Sequence, residues 1–370
     1  MWSRLQRAIL LSLLFWLAPL TGPVQETIAQ TFLGNYSGHN VNGKAISVNA
    51  GSASIRFIFY QPDILRVDFL PTPATLFDSS FVVIRDTTQT VGMTIMSTDS
   101  TLEIASSAIK IVCAKNPLRV AYYTGAGKAL LAEPGSGGLA SNGGARLATF
   151  SLSPDDHFYG TGERGIGLDL RGSAFDSYNT QIGGYGEHTG PLPTMNINIP
   201  FVSSTHGYAL YFENTYPGRF DFGVTDPKNF SYRASGGELS YFLIAGPTIR
   251  EQLEKYTWLT GRQPLPPRWA FGFIQSKYGY KNDVEAYTMV QTMRQKQIPC
   301  DAMVLDLYWF NAMGDISWKP VSWPNPFHMM DSLLAQGIKT IVITEPYIVQ
   351  HSINFPEARD NGYLGTYSNG

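Results

Sequence analysis

Three short stretches hold the residue types that could do chemistry here: Gln275-Ser276-Lys277-Tyr278, Asp306-Leu307-Tyr308-Trp309 and Ile343-Thr344-Glu345. The middle one joins a carboxylate to two aromatic rings. A carboxylate accepts two hydroxyl hydrogen bonds while rings cover apolar C–H faces, so this group suits a polyhydroxylated ring. Asp306 reads equally well as a strand-end acid that caps a loop, and position alone does not choose between the two. Asp306 and Glu345 also invite a reading as a catalytic pair, since glycosidic cleavage needs two carboxylates about 5–9 Å apart. Other chemistries find less support. Six histidines lack close pairing, and His206, His328 and His351 read as solvated or locally hydrogen-bonded, so neither a metal nor a cofactor is expected. No serine sits in a Gly-x-Ser-x-Gly elbow. Cys113 and Cys300 are far apart without metal-ligand spacing, and both read as buried free thiols.

These stretches each follow a short apolar run, and the runs alternate with helical patterns. Strand is expected at Ala270 to Ser276, Ala302 to Leu307 and Lys339 to Thr344, with helix at Asp283 to Lys296 and about Pro326 to Gln336. Such alternation builds a parallel sheet with right-handed crossovers, whose ligands sit at the carboxyl ends of the strands. No Gly-x-Gly-x-x-Gly opens the first helix, which disfavours a dinucleotide fold. A complete eight-stranded barrel takes about 250 residues, whereas only about 100 follow Pro267, so the expectation is the first part of a (β/α)8 barrel holding three units. Its exposed apolar faces predict poor solubility.

Upstream the pattern is different. From about Ser47 to Ala245 short apolar segments (Ile55 to Tyr60, Ile64 to Phe69, Leu102 to Ile104, Ile109 to Cys113, Tyr208 to Phe212, Leu239 to Ile244) are separated by turn residues without a helical period, which predicts an antiparallel β-sandwich. Gly135 to Gly138 and Gly143-Gly144 read as exposed loops. Ile249 to Leu259 has helical spacing, and Pro264-Leu265-Pro266-Pro267 cannot continue it. The expected organisation is therefore a leader over 1–29, a sandwich over 30–247, a helix and proline-rich junction over 248–268, and the incomplete barrel over 269–370.

Arg4 and Arg7, the apolar run Ala8 to Leu20 and the small-residue ending Thr27-Ile28-Ala29 describe a secretory signal peptide. The run is shorter than the ~20 residues that span a bilayer, so export to the periplasm or exterior is expected, with no membrane partner after cleavage. The 370 residues are 44% hydrophobic, 13% aromatic and 15% charged, and 27 basic side chains nearly cancel 29 acidic ones. No field exists to hold nucleic acid, and a neutral ligand is the easier guest.

At several of these residues the sequence resembles glycoside hydrolase family 31, the retaining α-glucosidases, α-xylosidases and α-transglucosylases. The likeness is carried by Phe158-Tyr159-Gly160-Thr161-Gly162-Glu163-Arg164, by Ile199-Pro200-Phe201 through Gly207 to Phe212, by Tyr256 through Trp269, by Leu305 to Trp309, and by Gly337 to Ile348. The resemblance implies a galactose-mutarotase-like sandwich followed by the opening of a catalytic barrel. By matching positions it places Tyr278 in the −1 subsite, gives Asp306 the hydroxyls of the non-reducing sugar, and puts Leu307 and Ile343 along its wall, with Trp309 closing the motif. In the family the nucleophile ends the fourth strand and the acid/base follows it, so the resemblance puts both beyond Gly370 and leaves no catalytic residue here. Asp306 and Glu345 are then not the reacting pair.

The implied activity is double displacement on α-linked glucosides or xylosides, with an oligosaccharide or α-glucoside as the partner. The alternatives are an α-glucan transglycosylase using the same site, and a non-catalytic carbohydrate-binding fragment. One departure stands out: the family's loop context Trp-Asn-x-Asp is here Tyr178-Asn179-Thr180-Gln181. Gln181, in the loop Asp176 to Glu187, is expected to border the −1 and acceptor subsites, or else to lie on an ordinary surface hairpin.

Overall fold

The computed structural model describes residues 30–71, 80–86, 91–180 and 191–365. The leader expected over 1–29 and Gln181 lie outside the described residues. Two compact units divide between Arg262 and Gln263.

Among the described residues, the first unit holds three antiparallel sheets. Eight strands run in the spatial order Phe158–Gly162, Asn198–Ser204, Tyr208–Phe212, Leu239–Ala245, Ile64–Leu70, Ala53–Gln61, Ala45–Ala50 and Tyr36–Asn42. Six more run Thr31–Phe32, Ala140–Asn142, Ala145–Ser151, Asn229–Ala234, Gly218–Phe222 and Ala174–Ser177. Five form the order Ala129–Ala132, Leu118–Thr124, Ile109–Lys115, Thr101–Ala105 and Thr94–Ser97. Alternation explains why: in Ala45–Ala50 every second residue, Ile46, Val48 and Ala50, is buried, which is the period of a strand with one face on a core. Phe150, Phe158, Phe212, Phe222, Phe230 and Tyr241 meet in that core as contacting rings.

Leu239–Ala245 breaks the alternation, because all seven of its residues are buried. One face lies in the core, and the other carries Phe242 and Ile244 into a second cluster with Phe201, Ala209, Tyr211 and Leu259. Leu259 comes from the helix Ile249–Thr260, which lies over the eight-stranded sheet. Thr248 and Glu251 form a capping box at its start, satisfying donors that the first turn leaves free. Gln252, fully buried, donates to the carbonyls of Ser204 (3.0 Å) and Gly246 (2.8 Å) and accepts from the Ser203 hydroxyl, which ties the helix to the sheet.

Buried charges in this unit are held by specific partners. Asp68, fully buried, accepts from Arg56 Nε at 2.8 Å and from Arg66 Nε at 2.7 Å. Burial opposes the Arg66 charge, yet the charge and hydrogen bond of Asp68 hold its pKa above the ordinary value. Glu133 is also buried, and its Oε2 accepts only the distant Val120 N–H at 3.3 Å while Oε1 has no partner. Burial pushes its carboxyl up to about 8. The stretch 135–138, expected as exposed loop, ends differently: Gly138 is buried with φ +93°, and a side chain there would meet the Glu133 carboxylate.

The Gly-Thr-Gly-Glu-Arg segment is a knot. Gly162 has φ +91°, and a Cβ would collide with the Ile197 carbonyl, so only glycine lets the two backbones approach. Thr161, 1% exposed, has φ +67°, a conformation few side chains adopt. Its hydroxyl donates to Gly160 O and accepts from Arg164 Nε, both at 2.6 Å. Arg164 also donates to the carbonyls of Thr161 (2.9 Å) and Pro193 and lies 3.7 Å from the Phe175 ring centroid. Burial lowers its pKa to about 10.

The second unit is a three-stranded parallel sheet, Ile274–Gln275, Ala302–Leu305 and Lys339–Val342 in that order, with helices Asp283–Gln295, Pro326–Ala335 and Phe355–Asp360. This is a mostly β chain whose second part is the opening of a barrel. The strand expected over 270–276 is shorter: Arg268–Phe271 is a 3₁₀ turn, and only Ile274 and Gln275 pair with the neighbouring strand. Asp301 accounts for the change, since its carboxylate accepts the Phe273 N–H at 3.1 Å in place of a ladder partner. The other two strands end two residues early, at Leu305 and Val342; after Leu305, Asp306 Oδ1 takes the Leu307 N–H at 2.7 Å. Cys113 and Cys300 are free and buried.

Candidate active-site face of the parallel sheet

The carboxyl ends of the three parallel strands gather residues from all three stretches singled out in the sequence. Tyr278 follows the first strand, is 75% exposed, and meets Tyr308 edge-on with ring centroids 5.3 Å apart. Its phenol titrates above the ordinary value, first through a hydrogen bond with Tyr308 and then through charge at Tyr308, Asp306 and Glu345. The register of the sheet sets Leu305 beside Val342, so Asp306 and Ile343 leave neighbouring strands side by side. Asp306 is half-buried; its N–H donates to the Gly279 carbonyl at 2.8 Å, which joins the loops after the first two strands. One carboxylate oxygen accepts the Leu307 N–H at 2.7 Å. Leu307 is partly buried against the apolar cluster of this unit. Ile343 is half-buried too, and Glu345 is exposed.

Trp309 is not the open stacking ring that its place beside Asp306 implies. It is 5% exposed, its indole N–H donates to the Ile343 carbonyl at 2.8 Å, and its ring packs edge-on against Phe310 and Trp318. It positions the loops of the second and third strands, and the exposed ring of the group is Tyr278. Two basic residues frame the face. Lys277 pairs with Glu285 at 2.6 Å, tying the first loop to the helix start, and Lys281 lies 5.5 Å over the Tyr308 ring. Lys281 was not legible as a site residue, because nothing in a lone lysine five residues after a strand marks it.

Chemically, the group offers a carboxylate, a phenol pair and an apolar wall, which can grip a hydroxyl-rich ring. Among the described residues no group of three or more His, Cys, Asp or Glu could hold a metal ion. His206 bonds Asp155 at 3.1 Å, whereas His328 and His351 are exposed. No helix among the described residues is long and apolar enough to cross a membrane.

Comparison with known proteins bears on both units. Residues 263–370 match the model of the glycosyl hydrolases family 31 TIM-barrel domain, and residues 54–221 that of the family's N-terminal galactose mutarotase-like domain. The chain is 32% identical over 318 residues to alpha-glucosidase 2 of Bacillus thermoamyloliquefaciens, covering 85% of this chain and 40% of that protein. It is 32% identical over 225 residues to alpha-xylosidase XylQ of Lactiplantibacillus pentosus, covering 60% of this chain and 29% of that protein. Among solved structures, the Flavobacterium johnsoniae family 31 dextranase complexed with glucose superposes with a TM-score of 0.84 at 27% identity, covering 90% of this chain and 41% of that one. The chain thus spans about 40% of the length of the alpha-glucosidase and the dextranase.

Proposed function

The chain belongs to glycosyl hydrolase family 31, and from that premise we propose that it is the sugar-gripping part of a retaining α-glycosidase acting on α-linked glucosides or xylosides. The observation that carries this reading is the gathering of Tyr278, Tyr308 and Asp306 at the carboxyl ends of neighbouring parallel strands, with Ile343 leaving the next strand beside them. Asp306 binds substrate hydroxyls, Tyr278 covers the ring, and Leu307 and Ile343 form the wall. Retention needs a nucleophile and an acid/base of separated pKa on opposite sides of the bond. Asp306, a single hydroxyl-binding carboxylate, supplies neither the second group nor the split in pKa. The 370 residues alone are therefore proposed to bind sugar without turning it over. Residues 1–29 are proposed to direct export.

The test is glucose and xylose binding by calorimetry, beside turnover of aryl α-glucosides and α-xylosides. A hydrogen bond to a charged group contributes about 1.5–3 kcal/mol, so Asp306→Asn should weaken binding by roughly ten- to a hundredfold. Sugar binding indifferent to Asp306→Asn, or turnover by these residues alone, would contradict the reading.

A further inference from the structure

The loops that follow the second and third parallel strands are joined to each other at two places. The near joint is the Trp309 indole N–H on the Ile343 carbonyl at 2.8 Å. The far joint is built on Asp315, whose side chain is buried and whose two oxygens serve different loops. Oδ2 accepts the Ala312 N–H of its own loop at 2.9 Å, and Oδ1 accepts the Ile353 N–H of the next loop at 3.0 Å. Asn354 completes the joint in the opposite sense, donating from Nδ2 to the carbonyls of Gly314 (2.7 Å) and Asp315 (3.1 Å). The Val349 N–H adds a bond to the Met313 carbonyl at 3.2 Å.

Burial works against the Asp315 charge, yet the Ile353 and Ala312 N–H groups and the Ser352 hydroxyl prevail and hold its carboxyl below the ordinary value. An ionised carboxylate only accepts, so both oxygens suit the N–H groups that face them.

Two backbone features show how tightly the loops are held. Gly314 has φ +98°, and a Cβ there would lie 2.9 Å from Ile348 Cα and 3.1 Å from the Tyr347 carbonyl oxygen, so the two backbones touch. Ile316, next to the carboxylate, has φ +46° and is 65% exposed. A β-branched residue rarely enters that region, and such a conformation persists where its surroundings over-determine it. Burial of Ile316 does not offset that strain, which leaves the anchored backbone before it to do so. The span 344–348 is thus fixed at both ends. It follows the wall residue Ile343 and carries Glu345 and Tyr347, both exposed.

We propose that Asp315 is a positioning residue for sugar binding: without touching the guest, its carboxylate locks the loop of the third strand onto the loop of the second and presets Ile343 and the span beyond it. A loop ordered beforehand loses less freedom when the guest arrives, so more of the contact energy appears as affinity. The inference rests on the sugar-gripping role proposed for this face.

The test is glucose binding by the whole chain, read by calorimetry, beside hydrogen exchange followed by mass spectrometry with and without glucose. In Asp315→Asn an NH2 group replaces one acceptor and faces an N–H, and Asn354→Ala removes the donors from the other side. Each should weaken binding about tenfold, and the double variant should lose little more than either, because both open the same joint. Without glucose, residues 343–354 should exchange faster in both variants than in the parent. Saturating glucose should restore the parent's protection, which a purely structural defect would not show. Circular dichroism separates lost binding from lost fold. Affinity lowered by Asp306→Asn but unchanged in folded Asp315→Asn and Asn354→Ala would overturn this inference and leave the sugar-gripping role standing, whereas no glucose binding by the parent would overturn both. Equal exchange over 343–354 in parent and variants would overturn the joint itself.

Discussion

Replacing Glu133 by glutamine should make the sandwich more stable at alkaline pH and leave it little changed in acid. The buried carboxyl keeps its proton up to about pH 8, whereas a carboxyl in the unfolded chain releases it near 4.5. Between those values the folded state binds more protons than the unfolded one, so stability falls as pH rises and is level again above about 8. Each pKa unit is worth about 1.4 kcal/mol. The interval between 4.5 and about 8 therefore corresponds to a loss on the order of 5 kcal/mol at alkaline pH. Glutamine has the same shape and no charge to bury, and it can still accept the Val120 N–H. The assay is urea unfolding of parent and Glu133→Gln across this range, followed by far-ultraviolet circular dichroism, to which the strands of the first unit contribute most of the β signal. Taking the difference between the two proteins removes every other titrating group. It should grow in favour of the variant by up to about 1.4 kcal/mol per pH unit and then level off. A difference independent of pH would refute the claim that this side chain is buried as a neutral acid.

Asp68→Asn should be among the most damaging changes in the first unit, because it leaves the Arg56 and Arg66 guanidinium groups facing an uncharged amide. A loss of about 3–5 kcal/mol is expected, read as a lower urea midpoint, and an unshifted midpoint would count against the pairing. Thr248→Ala removes one half of the capping box and should cost about 1 kcal/mol, seen as faster amide hydrogen exchange in Ile249–Thr260 and recovered by Thr248→Asp. Equal exchange in parent and alanine variant would show that the cap contributes nothing.

Much of the architecture was legible because it depends on local period. Ile64 to Phe69, Tyr208 to Phe212 and Leu239 to Ile244 each became a strand within a residue of expectation, and the helices starting at Ile249 and Asp283 announced themselves by spacing. The failures have a common cause, since each depends on a partner remote in sequence. Phe271 to Phe273 did not extend the first parallel strand, because Asp301 supplies the competing acceptor. Trp309 looked like a platform in one dimension and is a pillar in three, its indole bound to Ile343. Gly138 read as loop until Glu133 was found behind it. The acids at 306 and 345 were visible because strand ends can be counted.

The knot around Arg164 has a consequence for how such chains diversify. On one side, Asn179 Oδ1 accepts the Asn198 N–H at 2.8 Å and Asn198 Nδ2 donates to the Tyr178 carbonyl at 2.9 Å. On the other, Leu192 and Gly165 exchange both backbone hydrogen bonds, at 2.8 and 3.0 Å. Tyr178, Asn179 and Leu192 are thus moored to one rigid frame. Natural variants should keep Gly160 and Gly162 in that frame, because a side chain at either would push against a neighbouring carbonyl and shift both anchor points at once.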